Sequence, residues 1–119
     1  MKPSDRFYSM IDYTSSGAES QPDIALAFAQ IQNDWVATYP GFIVARFLAS
    51  TDGGIVRAVV EWENEEAFRD FEQKSDTKGR MAALETVFNR LSTSGTRLTF
   101  RAIGDVEPQP AIVDKASAT

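Results

Sequence analysis

The chain has 119 residues, of which 43% are hydrophobic and 24% are charged, so its size and composition are those of one folded domain rather than of a disordered or membrane-spanning protein. It contains neither histidine nor cysteine, which excludes Ser-His-Asp and Cys-His nucleophiles, thiolate redox chemistry, zinc bound by nitrogen or sulfur, and histidine-ligated haem. Its net charge of -5 disfavours binding to the phosphate backbone of a nucleic acid.

The first third of the chain is predicted to form a strand followed by a helix. Residues 6–13 alternate and are rich in aromatic and aliphatic side chains, as a half-buried strand is. Residues 14–22 are predicted to be a loop. Ser20 is expected to cap a helix of roughly 15 residues, which has apolar side chains at helical spacing and ends at the break formed by Pro40 and Gly41.

The middle of the chain is predicted to be a β-hairpin. Residues 42–50 and residues 55–62 both have the composition of strands. Between them, Asp52 and Gly53 accept the positive φ angles that a tight hairpin turn needs. Since side chains alternate between the two faces of a sheet, a two-residue turn here determines which residues of the two strands share a face.

The last third is predicted to contain two helical segments and a final strand. Asn64 and the acidic residues after it are typical of a helix N-terminus. A break near residues 75–77 separates this helix from a second one at residues 78–91, and residues 96–103 form the fourth strand. The apolar face of the second helix is predicted to consist of Met81, Leu84, Val87 or Phe88, and Leu91.

The predicted order is strand, helix, strand, strand, helix, strand, which is the ferredoxin-like βαββαβ pattern of an α+β protein. In this fold, helices cover one face of a four-stranded antiparallel sheet. The domain is expected to span residues 5–105. Residues 106–119 are expected to form an extended or loose tail, with an edge strand at residues 111–113 as the alternative.

The two faces of the predicted hairpin differ in polarity. One face is uniformly apolar and is expected to lie under the helices: Ile43, Ala45, Phe47, Ala49, Val56, Ala58, Val60 and Trp62. The other face mixes aliphatic and charged side chains: Val44, Arg46, Leu48, Ile55, Arg57, Val59 and Glu61. The mixed face is too apolar for open solvent, so we expect a homodimer in which two sheets face each other. The alternative is a monomer with an ordinary half-polar sheet face.

Strand alternation also places the charged residues. Arg46, Arg57, Arg97 and Arg101 are assigned to the dimer interface. The carboxylate of Asp12 could act as a base, but its position in the first strand directs it to the mixed face. We therefore expect Asp12 to form an ion pair with an arginine.

Three alanines on the apolar face indicate either the close approach of a helix or space for a ligand. These alanines are Ala45, Ala49 and Ala58. Aromatic side chains are expected to surround them: Phe28, Trp35, Phe47, Trp62, Phe68, Phe71 and Phe88. Such a lining suits a planar, mostly hydrophobic ligand better than a sugar or a nucleotide.

Two segments and the turn between them resemble a known family. Residues 39–42 read Tyr-Pro-Gly-Phe, residues 51–54 read Thr-Asp-Gly-Gly, and residues 62–68 read Trp-Glu-Asn-Glu-Glu-Ala-Phe. Together they resemble the antibiotic biosynthesis monooxygenase family, and the resemblance covers about residues 5–105. It implies a dimeric α/β barrel of ferredoxin-like subunits.

The resemblance also implies several activities. Some members of the family oxidise polyketide phenols to quinones with O2 and without metal or flavin, others degrade haem, and relatives in the superfamily cyclise polyketides. In the quinone-forming members a tryptophan at the end of the third strand lies beside the substrate, which implies that role for Trp62. Those members often have an asparagine where this chain has Ala58, and the haem-degrading members need a histidine that this chain lacks.

Candidate site residues follow from strand alternation and from the resemblance. Trp62 is expected to stack on a planar substrate and to donate its indole N–H to a developing oxyanion. Tyr13 is the expected hydrogen-bonding group on the pocket side, and Ser9 is a small polar group beside it. The other expected substrate-binding residues are Trp35 and Tyr39 at the pocket mouth, with Phe47, Ala58, Phe68 and Phe88. A purely structural role is the alternative for each.

The main hypothesis is a cofactor-independent monooxygenase that oxidises a small or polycyclic phenol to a quinone with O2, with no cofactor and no metal. The alternatives are a non-catalytic dimer that binds an apolar ligand and, less favoured, a haem-handling protein. The expected partners are a small hydrophobic aromatic ligand and a second subunit, without nucleic acid or membrane. The chain shows no membrane span and no signal peptide, and without cysteine its compartment cannot be read from disulfides, so a cytoplasmic location is the default expectation.

Overall fold

The strands and helices follow the predicted order. The computed structural model describes residues 1–111. Its elements are β1 (Phe7–Thr14), α1 (Gln21–Trp35), β2 (Phe42–Ala49), β3 (Ile55–Trp62), α2 (Glu65–Lys74), α3 (Thr77–Leu91) and β4 (Gly95–Arg101). The strands form one antiparallel sheet in the order β2-β3-β1-β4, which confirms the ferredoxin-like α+β fold.

Side-chain hydrogen bonds explain where two of the helices begin. The side chain of Asn64 accepts a hydrogen bond from the backbone N–H of Ala67 at 2.8 Å and caps α2. Asp76 caps α3 in the same way at 2.9 Å, so the helical chain breaks where predicted. Ser20 occupies the N-cap position of α1 but does not cap it as expected. A short 3-10 turn precedes α1, and the Ser20 hydroxyl donates instead to the carbonyl of Gly17 at 3.0 Å.

A β-bulge in β2 changes one part of the predicted apolar face. Phe42 pairs with Trp62, but Val44 pairs with Glu61, so Ile43 has no partner of its own in β3. Ile43 is 36% exposed, and Phe42 takes the inner position, edge-on to Trp62 with 5.8 Å between ring centroids. The predicted inward position of Ile43 is wrong, because the alternation assumed an uninterrupted strand.

The register of β4 places its arginines on the helix-covered face. Arg97 lies opposite Ile11 and Arg101 lies opposite Phe7, which is buried beneath α2. Arg97 also forms an ion pair with Glu72 of α2 at 3.1 Å. The assignment of both arginines to the open face is therefore wrong. No hairpin connects β4 to β1, so the sequence pattern does not determine this register.

The open face of the sheet carries charges that pair within the chain. Arg57 donates to Asp12 at 2.7 and 3.0 Å, as predicted for Asp12. Glu61 lies between Arg46 at 3.6 Å and Arg6 at 3.5 Å. Three large apolar side chains of this face are at least 45% exposed: Leu48, Leu98 and Phe100. The arginines named here each lie beside a carboxylate, although Arg46 and Arg6 share that of Glu61, and the face is partly apolar.

Two apolar clusters lie between the sheet and the helices. The first lies under α1 and α3: Tyr13, Ile24, Phe28, Ile31, Val56, Ala58 and Val87. The second lies under α2: Phe7, Val36, Val60, Trp62, Phe68 and Phe71. Ala49 is exposed near the end of the edge strand β2, although the predicted face places it under the helices.

The two ends of the described chain meet beside the sheet. The backbones of Lys2 and Asp105 exchange two hydrogen bonds of 2.7 Å. Residues 106–111 have no regular secondary structure, and the alternative edge strand at residues 111–113 lies mostly outside the described residues. Within residues 1–111, no helix combines the length and the apolar character that crossing a membrane requires.

Candidate functional site

A cavity of about 270 Å³ lies where the two apolar clusters meet, between the sheet and the helices. Most of its lining is aromatic or aliphatic: Ile11, Tyr13, Phe28, Ile31, Val36, Val60, Trp62, Phe68, Phe71, Met81, Leu84 and Phe88. Its polar side chains are Ser9, Gln32, Glu72, Arg80 and Arg97. Small-molecule sites usually measure about 300–1,000 Å³, so this cavity suits a small fused-ring ligand.

Five of the nine predicted site residues line this cavity: Ser9, Tyr13, Trp62, Phe68 and Phe88. β1 and β3 pair without a bulge, so Ser9 and Tyr13 share the helix-covered face with Trp62, the last residue of β3. α2 contributes Phe68 and α3 contributes Phe88 from the opposite side. The side chains therefore converge from four elements.

Stacking holds Tyr13 in the cavity wall. Its ring is nearly parallel to that of Phe28, with 3.7 Å between the centroids, and the residue is 3% exposed. Burial raises the pKa of the Tyr13 phenol above its ordinary value. At neutral pH Tyr13 therefore offers a neutral hydroxyl group, which can donate or accept a hydrogen bond.

The other four predicted site residues lie outside the cavity lining. Trp35 packs against α3 so closely that Gly79 of that helix has no room for a side chain. Tyr39 lies edge-on to Phe71 with 5.2 Å between ring centroids, and Phe47 packs against the first cluster. Ala58 is fully buried inside that cluster, so its small side chain reflects close packing rather than space for a ligand.

Arg80 lines the cavity although it is not among the residues predicted for the site. It lies in the first turn of α3, is 7% exposed, and places its guanidinium carbon 4.3 Å from the centroid of the Phe71 ring. Burial lowers the pKa of Arg80, the attraction of Glu72 raises it, and the repulsion of Arg97 lowers it. Arginine nevertheless stays protonated in proteins, so Arg80 brings a buried positive charge to the cavity.

A signal for Arg80 is present in the sequence. Arg80 precedes Leu84 by four positions and Val87 by seven, so it belongs to the stripe of α3 that faces the core. Met81, which the pattern assigns to that stripe, is 49% exposed at the rim of the cavity. A charged residue in phase with an apolar stripe is the feature that identifies such a site.

Three polar side chains of the cavity have buried atoms with no hydrogen-bond partner among residues 1–111. These atoms are Nε1 of Trp62, Oε1 of Gln32, and Nε and one terminal nitrogen of Arg80. Leaving a buried polar group unpaired costs about 1–3 kcal/mol, and most buried polar groups are paired. These atoms come from three elements and gather at one cavity, where polar groups of a small molecule can pair with them.

Arg97 and Glu72 form an ion pair in the cavity wall. The two terminal guanidinium nitrogens of Arg97 donate to the Glu72 carboxylate oxygens at 3.1 and 3.5 Å. Arg80 has no ion-pair partner in the described part of the chain, so its charge is available to a ligand. The cavity therefore favours a flat ring that carries an anionic oxygen.

A metal ion or haem iron would need ligands of particular kinds. Across the described ranges, no three acidic side chains come close enough together to hold a metal ion. The chain has no histidine that could bind haem iron. The groups able to hold a ligand here are the aromatic walls and the unpaired polar atoms of the cavity.

The fold and the cavity define a class of protein, namely ferredoxin-like α+β domains with an aromatic-lined small-molecule site between sheet and helices. The family model described as antibiotic biosynthesis monooxygenase matches residues 8–91, from β1 to the end of α3. The chain therefore belongs to the antibiotic biosynthesis monooxygenase family, as the motifs at residues 39–42 and 62–68 predict.

Several solved structures share the fold. A monooxygenase from the gene ActVA-Orf6 of Streptomyces coelicolor, in complex with nanaomycin D, is 26% identical with a TM-score of 0.68, over 87% of this chain and 92% of that chain. A variant of SnoaB, a cofactor-independent oxygenase from Streptomyces nogalater, is 22% identical with a TM-score of 0.63, over 83% and 94%. A haem-degrading protein from Mycobacterium tuberculosis is 20% identical with a TM-score of 0.56, over 87% and 98%. A comparison with curated proteins finds no significant match.

Proposed function

We propose that this protein is a cofactor-independent monooxygenase that converts a small or polycyclic phenol into a quinone with O2. The observation that carries the proposal is the pair of unpaired donors, Nε1 of Trp62 and the guanidinium of Arg80, in an aromatic-lined cavity. Membership of the family supports it. Further support comes from one neighbour described as a cofactor-independent oxygenase and another that binds nanaomycin D.

The groups of the cavity fit the demands of this reaction. A phenol and O2 give a quinone and water: one oxygen atom enters the ring, the other leaves in water, and the ring supplies the electrons. The ring gives up electrons readily only as the phenolate, so the protein has to bind a flat ring and stabilise its negative oxygen. Arg80 and Trp62 donate to that oxygen, while Phe28 and Phe68 belong to the aromatic walls around the ring. Tyr13 is a further, neutral hydroxyl group in the wall.

One observation favours the non-catalytic alternative, a dimeric protein that binds an apolar ligand. At the position where quinone-forming relatives are expected to have an asparagine, Ala58 is fully buried and supplies no polar group. In that case the cavity binds an aromatic molecule without activating it. A haem-handling role ranks below both, because the chain has no histidine to bind the iron.

We also propose that two copies of the chain pack their open sheet faces together. The arginines of that face already lie beside carboxylates, Arg57 with Asp12, and Arg46 with Glu61, which Arg6 shares. Burying the face would therefore not leave their charges without partners. The exposed Leu48, Leu98 and Phe100 would then be covered.

Quinone formation from anthrone or 1-naphthol in air, followed by absorbance, tests the enzyme proposal. Arg80→Met is expected to lower the rate above background about a hundredfold, since losing one donor to a developing oxyanion typically costs about 10²–10³. Trp62→Phe removes the other donor and is expected to lower the rate at least about tenfold.

Two matched variants control for the substitutions themselves. Arg90→Met makes the same change at an exposed position of α3, and Trp35→Phe makes it at the tryptophan outside the cavity lining. Both are expected to keep the wild-type rate. If wild type gives only the background rate, the enzyme proposal fails. Naphthol binding without turnover would then favour the ligand-binding alternative, and a Soret shift on adding haemin would favour haem handling.

A further inference from the structure

Gln32 contributes a polar atom to the cavity that the proposed reaction does not use. It lies on α1, one turn after Phe28, and its side chain is part of the lining. Its Oε1 is buried and accepts no hydrogen bond from any residue between 1 and 111. Its backbone carbonyl accepts hydrogen bonds from Val36 and Ala37 at 3.0 and 2.8 Å, so this end of α1 is held in place.

The unpaired atom of Gln32 differs in kind from those of Trp62 and Arg80. The indole and guanidinium nitrogens only donate, so a phenolate or carbonyl oxygen satisfies them. An amide oxygen only accepts, so the ionised oxygen bound by Arg80 cannot satisfy it. No described residue donates to Oε1, so a ligand pairs this atom directly only by bringing a separate O–H or N–H group to Gln32.

We propose that Gln32 is a specificity-determining residue that selects ligands with a second hydroxyl group. The inference rests on the proposed function. The preferred class is a dihydroxylated fused aromatic, in which one oxygen is bound by Arg80 and Trp62 and the other hydroxyl donates to Gln32. A ring with one hydroxyl, or one whose second oxygen is methylated, leaves Oε1 without a donor and binds more weakly.

Binding of matched naphthalenes to the whole protein tests this inference. The ligands are 1-naphthol, the 1,5-, 1,6-, 1,7- and 1,8-dihydroxynaphthalenes, and the ethers of these diols methylated at the second oxygen. Affinities are measured without O2 by calorimetry, so that no turnover interferes. At least one diol is expected to bind wild type about tenfold more tightly than its ether, because only the diol satisfies the buried acceptor.

Three variants locate the source of the preference. Gln32→Met keeps the length and helix propensity of the side chain and is expected to bring the ratio of diol to ether affinity to about one. Gln30→Met makes the same change at an exposed position of the same helix and is expected to keep the ratio. Arg80→Met is expected to weaken the binding of every ligand and to keep the ratio.

Several results would overturn the inference. Equal binding of diols and ethers by wild type would do so, and so would a preference that survives Gln32→Met. Tighter binding of the ethers would also overturn the inference. An ether oxygen only accepts hydrogen bonds, so this result would mean that the amide nitrogen of Gln32, and not Oε1, faces the ligand. If 1-naphthol binds without any preference for a donor, only the inference fails. If none of the ligands binds, the proposed function fails and the inference fails with it.

Discussion

A buried guanidinium without a charged partner lowers the stability of a fold, and Arg80 is such a group in the first turn of α3. Arg80→Met removes the unpaired donors, while the methionine sulfur can keep a favourable contact with the ring of Phe71. We expect the free energy of unfolding to rise by about 1 kcal/mol, measured by urea titration. A fall of similar size would show that Arg80 serves the fold rather than a ligand.

Tyr13 makes stability depend on pH in the alkaline range. Burial raises the pKa of Tyr13 in the folded protein, so the folded protein holds this proton more tightly than the unfolded chain does. The resulting stabilisation is complete below the ordinary tyrosine pKa of about 10 and is lost as the pH rises above it toward the folded pKa, by up to about 1.4 kcal/mol per pH unit.

Urea unfolding of wild type and Tyr13→Phe at about pH 8, 10 and 11 measures this loss, because the other titrating groups are common to both proteins. The wild type is expected to lose about 1 kcal/mol relative to the variant between pH 10 and pH 11. A difference that stays constant from pH 8 to pH 11 would show that Tyr13 titrates normally in the folded state.

Individual residues show which positions of the site can be predicted from the sequence pattern. Alternation placed Ser9, Tyr13 and Trp62 on one face because β1 and β3 pair without interruption. The same rule fails at Ile43, where a bulge shifts the register within β2. Strand alternation does not apply to Arg80, which lies on a helix, and its signal is instead its position in phase with the apolar stripe of α3.

At the scale of elements, local contacts were predictable and distant ones were not. The cap at Asn64 and the break near residues 75–77 depend on neighbouring residues, so the pattern finds them. The β2–β3 hairpin is also local, because a short turn connects its strands. The pairing of β4 with β1 joins residues more than 80 positions apart, and here the assignment of Arg97 and Arg101 is wrong.

Ion pairs connect α2 to β4 beside the cavity. Glu72 pairs with Arg97 at 3.1 Å, and Glu65 pairs with Arg101 at 3.7 Å. The four side chains are partly exposed, so each pair contributes at most about 1 kcal/mol to stability. Their larger effect is on the charge of the cavity, since Glu72 attracts Arg80 and lines the same space.

Glu72→Gln separates these two effects. The substitution removes a negative charge near Arg80, so the ionised form of 1-naphthol is expected to bind about three- to tenfold more tightly at alkaline pH. Stability is expected to fall by less than about 1 kcal/mol. Glu65→Gln is the matched control: it breaks the other pair with β4, lies outside the lining, and is expected to leave the affinity unchanged. Weaker naphtholate binding by Glu72→Gln would mean that Glu72 positions the site instead.

At the scale of the whole molecule, the sheet separates the cavity on its helix-covered face from the proposed subunit contact on its open face. Ser9 faces the cavity, whereas Met10 beside it in β1 lies on the open face. The cavity lies between the sheet and the helices, on the side of the sheet opposite to the open face. The proposed subunit contact lies on the other side of the sheet, so the geometry predicts that ligand binding does not require a second copy.

Sedimentation of wild type, Leu98→Glu and Leu26→Glu tests the contact and this independence together. Leu98 is 63% exposed on the open face, and Leu26 is 71% exposed on α1, away from it. Wild type and Leu26→Glu are expected to sediment with twice the mass of one chain. Leu98→Glu is expected to sediment with the mass of one chain, because dimerisation would bury an unpaired carboxylate, which is costly. Leu98→Glu is expected to bind 1-naphthol as wild type does. A wild-type mass of one chain would refute the dimer, whereas loss of naphthol binding in a folded single-chain Leu98→Glu would show that the partner shapes the cavity through the sheet.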